Sequence, residues 1–107
     1  MVKNNRTTAA LQASDLAHHL HPFTDHAALR RDGGSRVVVR GQGCDVWDND
    51  GNRYLDGFAG LACVSLGYGR AELAEAAFRQ MQELAYQSSF FHTTHPLAIQ
   101  LAEHLVD

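Results

Sequence analysis

Histidines are the side chains of this 107-residue sequence that most readily suggest chemistry. Six of the seven fall in two groups: His18, His19, His21 and His26 in the first quarter, and His92 and His95 near the end. Neutral imidazoles bind metals such as zinc. No carboxylate or cysteine, however, completes a ligand set of familiar spacing beside either group. The sequence therefore predicts no metal site, and it favours capping and loop roles; a His-rich metal-binding domain stays an alternative.

Groups for covalent catalysis are scarce. Lys3 is the single lysine, and it lies in a polar stretch where a hydrated ammonium is neither desolvated nor positioned for Schiff-base chemistry. No serine has a GxSxG context, and Cys63 has no defined histidine partner. Cys44 and Cys63 also lack CxxC spacing, so we expect two reduced thiols. We expect no catalytic residue in this chain.

Two short glycine motifs resemble the start of a nucleotide-binding loop. After Gly41-Gln42-Gly43 and Gly67-Tyr68-Gly69, the positions that would need a final glycine hold Val46 and Glu72. Neither is a GxGxxG fingerprint, and no P-loop lysine follows. We interpret the second motif as a turn into a helix.

The elements that must position these residues follow from local patterns. Residues 1–12 are expected to form a flexible arm and residues 13–20 a short helix, with Ser14 or Asp15 near its start. Thr24 or Asp25 is expected to cap a short helical turn. A β-branched run, alternation and turn chemistry predict an antiparallel hairpin or three-strand meander over residues 36–56.

Two amphipathic helices are predicted in the second half of the chain, over residues 70–84 and from Pro96 onward. A glycine-rich segment, residues 57–69, precedes the first, and a loop with Phe90 and Phe91 separates the two. The predicted fold class is therefore α+β. The last apolar stripe has no terminating glycine, which favours a chain cut inside a larger fold. A free-standing small binding module stays an alternative.

The composition of the chain argues against nucleic acid and membranes as binding partners. Apolar residues make up 45% and charged residues 20% of the chain, and the net charge is −3. No basic block exists, so we expect no nucleic-acid partner. No run of 18 apolar residues and no apolar signal segment exist, so we expect no membrane partner and a cytoplasmic location.

Several segments together resemble the class III ω-aminotransferases, of the amine–pyruvate and putrescine–pyruvate type. The similarity rests on an ordered set of blocks: residues 18–25 (HHLHPFTD), residues 46–57 (VWDNDGNRYLDG), Gly60-Leu61, Cys63-Val64, residues 67–70 (GYGR) and Phe90-Phe91 with residues 93–96 (TTHP). The blocks occur in the family's order and spacing, and they cover nearly the whole chain after the arm.

The resemblance implies an α/β parent protein of fold-type I, dependent on pyridoxal 5'-phosphate (PLP) and assembled as a homodimer or tetramer. Such enzymes move an amino group from an amine or ω-amino acid to a keto acid such as pyruvate. Residues 13–107 would form the N-terminal portion of the small domain. The catalytic lysine and most PLP contacts would lie in the remaining, C-terminal part, and cofactor-binding residues within this chain stay unassigned.

The resemblance also implies substrate-pocket positions, some of them facing the neighbouring subunit: Phe23, Leu61, Ala62, Phe90 and Phe91. Two departures from the family pattern affect this pocket. Many relatives have Trp where this chain has Ala62, and many have Tyr-Asn where it has Gln87-Ser88. We expect a wider or reshaped pocket as a result.

Overall fold

The computed structural model of the chain describes residues 5–106. Lys3 and the first part of the expected arm lie outside the described residues. The chain divides into two compact units, the first ending at Arg70 and the second beginning at Ala71. Each unit is described by itself below.

The first helix, α1 (Thr8–His18), begins earlier than residue 13, where the sequence predicted its start. The hydroxyl of Thr7 accepts a hydrogen bond from the backbone N–H of Ala10 at 3.3 Å, so Thr7 is the capping residue. Ser14 and Asp15, expected near the start, lie inside the helix. Residues 8–12 are therefore helical, and the flexibility of the arm stays a prediction.

Helix α2 (His26–Arg31) confirms the predicted helical turn. The carboxylate of Asp25 accepts hydrogen bonds from the N–H groups of Ala27 and Ala28, at 2.9 and 3.0 Å. These bonds satisfy two of the donors that every helix leaves free at its N-terminus.

An antiparallel sheet follows and confirms the predicted meander. Its strands are β1 (Val38–Gln42), β2 (Asp45–Asp48) and β3 (Arg53–Leu55), in the order β1-β2-β3. Asp48 organises the β2–β3 turn, because its carboxylate accepts from the Asn52 N–H at 2.9 Å and from the Tyr54 hydroxyl at 2.8 Å. Asp48 is also buried, with 7% of its surface exposed.

The glycine-rich segment contains a short element that the sequence did not predict, α3 (Ala59–Ala62). All four residues have positive φ, between 49° and 63°. They form one left-handed turn, a conformation that costs L-residues roughly 1–2 kcal/mol each. Its neighbours must therefore stabilise it.

The second unit contains α4 (Ala71–Glu83) and α5 (Pro96–Val106), which confirm the two predicted helices. None of the helices among the described residues has the length and apolar character needed to cross a membrane.

The described part of the chain buries no apolar side chain. On α4 and α5 the exposed apolar side chains include Leu73, Phe78, Met81, Leu97, Leu101 and Leu105. Cys44 and Cys63 are both free thiols, as expected from their spacing.

Candidate functional site

Left-handed backbone conformations occur at four of the five positions that the family resemblance implies for a substrate pocket. Outside glycine, positive φ occurs in the described chain at six residues: Phe23 (51°), Ala59 (49°), Leu61 (63°), Ala62 (60°), Phe91 (55°) and His92 (65°). Four of the five expected pocket residues belong to this set, and Phe90 is the exception. Positive φ is uncommon outside glycine and tends to occur at functional sites.

The carboxylate of Asp56 stabilises the left-handed turn α3 through hydrogen bonds to its backbone. Asp56 accepts hydrogen bonds from the N–H groups of Phe58 and Ala59 through Oδ1, at 3.0 and 3.1 Å. Its Oδ2 accepts from the Gly60 N–H at 3.1 Å. Three backbone donors of the segment that contains Leu61 and Ala62 are thereby fixed to a single side chain.

Tyr68 completes this arrangement by donating its hydroxyl to Asp56 Oδ2 at 2.6 Å. The hydrogen bond lowers the pKa of Asp56, and the three backbone donors lower it further. The same hydrogen bond raises the pKa of the Tyr68 hydroxyl. The ionised carboxylate and the protonated phenol are therefore the forms that stabilise the turn.

A glycine in β1 lets Tyr68 reach Asp56. A Cβ at Gly41 would lie 2.6 Å from the Tyr68 ring, a distance that side-chain atoms do not tolerate. Backbone hydrogen bonds join the same two segments, from the Gly43 N–H to the Tyr68 oxygen at 3.0 Å and from the Tyr68 N–H to the Gly43 oxygen at 2.8 Å. The sheet thus positions Tyr68, Tyr68 positions Asp56, and Asp56 positions α3.

Phe23 lies in the turn between α1 and α2 and is fully exposed. The turn is fixed on both sides of it: the Thr24 hydroxyl donates to the Pro22 oxygen at 2.8 Å, and His26 Nε2 lies 3.0 Å from the His21 oxygen. An aromatic ring held in a left-handed conformation and left in solvent gains no packing energy within its own unit.

Phe90 and Phe91 belong to the second unit, in the loop before α5. Their rings meet edge to face, with centroids 6.3 Å apart, and both are largely exposed. Thr93 braces this loop, because its hydroxyl contacts the backbone oxygens of Phe90 at 2.7 Å and Ser88 at 3.0 Å. Ser88 belongs to the second departure noted in the sequence, the pair Gln87-Ser88, and its backbone oxygen accepts this hydrogen bond.

These five positions offer apolar surface and no acid, base or nucleophile. Phe23, Leu61 and Ala62 lie in the first unit, and Phe90 and Phe91 in the second. Such side chains can bind and orient the apolar part of a small molecule. They cannot perform proton or group transfer.

PLP does not fit the described residues as a complete site. The cofactor needs a lysine amine for its Schiff base, and residues 5–106 contain no lysine. The described residues therefore lack the group that would hold PLP covalently.

Two features were missed from the sequence. The first is the role of Asp56 and Tyr68. Their hydrogen bond requires the Tyr68 ring to pack against Gly41, which is distant in sequence, and the family motif Leu55-Asp56-Gly57 alone does not show this. Asp15 was assigned to a helix start, yet its carboxylate lies between His19 and His21. Asp15 and His19 lie four residues apart at the end of α1, but the position of His21 beside them depends on the turn that follows the helix.

Comparison with known proteins gives a consistent result. The family described as class-III aminotransferase matches residues 28–107. Over 103 residues, 96% of this chain and 22% of the relative, the chain is 46% identical to the putrescine–pyruvate aminotransferase of Pseudomonas aeruginosa.

Solved structures agree with the sequence comparison. A thermostable (S)-enantioselective ω-transaminase from Thermomicrobium roseum matches with a TM-score of 0.89 and 51% identity, covering 96% of this chain and 23% of that one. The ω-transaminase of Pseudomonas jessenii in complex with PMP matches with a TM-score of 0.82 and 35% identity, covering 90% and 21%. The chain thus spans about a fifth of the length of the relatives it matches.

Proposed function

The chain belongs to the class-III aminotransferases, and from this premise we propose that it forms the N-terminal portion of a PLP-dependent aminotransferase. The whole enzyme would transfer an amino group from an amine or ω-amino acid to a keto acid such as pyruvate. Support comes from the relatives, which are a putrescine–pyruvate aminotransferase and ω-transaminases, one of them in complex with PMP. A free-standing binding module and a purely metal-binding domain give way to this proposal.

The role we propose for this chain is to shape the substrate pocket through Phe23, Leu61, Ala62, Phe90 and Phe91. The observation that supports it best is the coincidence of four of these residues with left-handed backbone conformations. Strain of about 1–3 kcal/mol at a residue persists only where the surroundings enforce it, and it concentrates at binding and catalytic sites. The hydrogen bonds of Asp56 and Thr93 are the enforcing contacts here.

The catalytic lysine and the main PLP contacts belong, in this proposal, to a part of the enzyme that this chain does not contain. The family's fold-type I architecture would supply them. We further propose a homodimer or tetramer in the cytoplasm. The resemblance to the family supports this assembly, as do the apolar side chains of α4 and α5 that remain exposed.

A chimeric enzyme tests the proposed function. This chain replaces the matching N-terminal fifth of the Pseudomonas aeruginosa putrescine–pyruvate aminotransferase, and alanine formation from pyruvate is measured with a panel of amines. We expect transamination with an altered donor preference. A chimera that folds and binds PLP but transfers no amino group would contradict the proposal.

Two variants of the chimeric enzyme test whether Phe23 contacts the substrate or only affects the stability of the turn. Phe23→Ala and Leu20→Ala each truncate a strongly exposed apolar side chain within the same turn region. Because only Phe23 is assigned to the pocket, only Phe23→Ala is expected to change KM for the amine. Equal effects of the two substitutions would remove Phe23 from the pocket.

A further inference from the structure

Asp15, His19 and His21 form a compact cluster that the proposed transamination does not use. His19 Nδ1 lies 3.0 Å from Asp15 Oδ1, and His21 Nε2 lies 2.8 Å from Asp15 Oδ2. The three ligand atoms, one from each residue, lie within 4.8 Å of one another. The two imidazole rings are close as well, with centroids 4.1 Å apart.

Local structure accounts for this convergence. Asp15 and His19 are four residues apart, so they share one face at the end of α1, and the His19 N–H donates to the Asp15 backbone oxygen at 2.8 Å. His21 precedes Pro22, which disfavours a helical conformation at His21, and α1 has already ended at His18. Ser35 fixes the carboxylate from the other side, with its hydroxyl 2.5 Å from Asp15 Oδ2.

The cluster is mostly buried at Asp15 and His21 and open at His19. The side chains of Asp15 and His21 are 18% and 23% exposed, whereas that of His19 is 60% exposed. It borders a cavity of about 610 Å³ that is also lined by Arg36, whose guanidinium lies 4.3 Å from the Tyr54 ring centroid. A small ion therefore has a path to the three donors.

The donor chemistry suits a transition-metal ion. The hydrogen bonds from Ser35 and then His21 lower the pKa of Asp15 to about 2, so its carboxylate is ionised at neutral pH. Binding of a metal ion would replace the imidazole hydrogen bonds to Asp15: each ring would then carry its proton on the outer nitrogen and present a lone pair to the ion. Metal–nitrogen and metal–oxygen bonds of about 2.0–2.2 Å would require the three donors to change their spacing, and the exposed His19 has the space to move.

We propose that Asp15, His19 and His21 bind one divalent transition-metal ion of the Zn²⁺ or Co²⁺ type. Two imidazoles and one carboxylate are a familiar ligand set for these ions, with water completing the coordination. Mg²⁺ and Ca²⁺ prefer oxygen ligands alone, so they are poor occupants.

Two neighbouring histidines serve as matched controls. His18 Nδ1 lies 2.8 Å from the Ser14 backbone oxygen, and His26 Nε2 lies 3.0 Å from that of His21. Both are in the same segment and outside the ligand set. The three ligands lie within residues 15–21, but Ser35 also holds the Asp15 carboxylate. The test therefore uses the chimeric enzyme described above, in which the chain is expected to fold cooperatively.

The experiment titrates the chimeric enzyme, after a cooperative melt has shown that it is folded, with Zn²⁺ by calorimetry and with Co²⁺ by its visible d–d absorption. We expect one ion per chain, no saturable Mg²⁺ binding, and a loss of affinity of at least about tenfold in His19→Gln, His21→Asn and Asp15→Asn. His18→Gln and His26→Gln should bind as the unchanged chain does. No saturable binding, unchanged affinity in the first three variants, or equal losses in the controls would each overturn the proposal.

Discussion

Ala62 contributes only a methyl group to the last position of a left-handed turn, where the family resemblance implies a wall of the substrate pocket. Its backbone conformation, with φ of 60°, is fixed by the hydrogen bonds of the turn. If residue 62 borders the proposed pocket, a larger side chain there would occupy pocket volume without freedom to move aside. In the proposed pocket, specificity for the amine would depend on the volume of the side chain at residue 62.

We predict that Ala62→Trp, in an enzyme that contains this chain, lowers kcat/KM for bulky amines more than for small diamines or short ω-amino acids. The change in relative barrier should be about 1–3 kcal/mol, the usual size of a pocket-shape effect. The measurement is the ratio of kcat/KM for one bulky and one small amine.

Ala74→Trp is the control for this prediction, because Ala74 is exposed on α4 and has no assigned pocket role. An unchanged ratio in Ala62→Trp, or the same change in both variants, would show that residue 62 does not border the pocket.

Lys3 allows a second prediction at the residue scale. It is the single amine side chain in the sequence, so borohydride reduction of the chain with PLP should give no stoichiometric adduct beyond the first tryptic segment. Mass spectrometry of the digest checks this. A defined adduct elsewhere would require a nucleophile that the sequence does not offer.

At the scale of the secondary-structure element, the helices and strands differ in how well local sequence predicts them. The meander was predictable because Asp48 and the residues after it supply both the turn chemistry and the hydrogen bonds that close it. Helices α4 and α5 were predictable from their apolar stripes. The start of α1 was missed, because Thr7 and Ser14 are both acceptable caps by residue type.

The left-handed turn α3 was not predictable from local preference at all. Leucine and alanine favour right-handed helix, and the opposite conformation is imposed by Asp56 and by Tyr68, which Gly41 admits. The five pocket positions came from the family resemblance and not from physical reasoning on the sequence. The Asp15 cluster needed the course of the chain after α1.

At the scale of the element, we predict that α3 responds to pH at both ends of the range. Asp56 has a lowered pKa, so its contribution is present above its ordinary pKa and is lost as the pH falls through the folded value. Tyr68 has a raised pKa, so its contribution is present below its ordinary pKa and is lost as the pH rises through the folded value. The Gly60 amide resonance, followed by NMR against pH, reports both transitions.

Two phenol-removing variants control this experiment. Tyr68→Phe should abolish the alkaline transition at Gly60, since the titrating hydroxyl is gone. Tyr54→Phe removes a phenol that donates to Asp48 instead, so it should leave that transition in place. If Tyr68→Phe keeps the alkaline transition, the hydrogen bond to Asp56 is not its cause.

At the scale of the whole molecule, the described residues bury one aspartate and no apolar side chain. Burial of apolar surface is the main favourable contribution to folding, so these elements gain little from one another within each unit. The apolar faces of α4 and α5 are the surfaces that further protein would cover in the proposed enzyme.

We therefore predict that the isolated 107-residue chain is partly molten. It should bind a hydrophobic dye such as ANS and melt without a sharp transition, whereas the chimera described above should melt cooperatively. Dye fluorescence and a calorimetric scan make the comparison. A monomeric isolated chain with a sharp, reversible melt would be incompatible with this view.

The left-handed conformation of α3 suits a D-amino acid better than the L-alanine at residue 62. The φ of 60° at Ala62 is strained for an L-residue and relaxed for a D-residue. D-alanine at this position should relieve roughly 1–2 kcal/mol of strain while turning the methyl group away from its present direction. Because Cys63 follows directly, a synthetic peptide thioester ending at residue 62 can be joined there by native chemical ligation. The product would separate two properties that genetic substitution changes together: the shape of the backbone and the direction of the side chain.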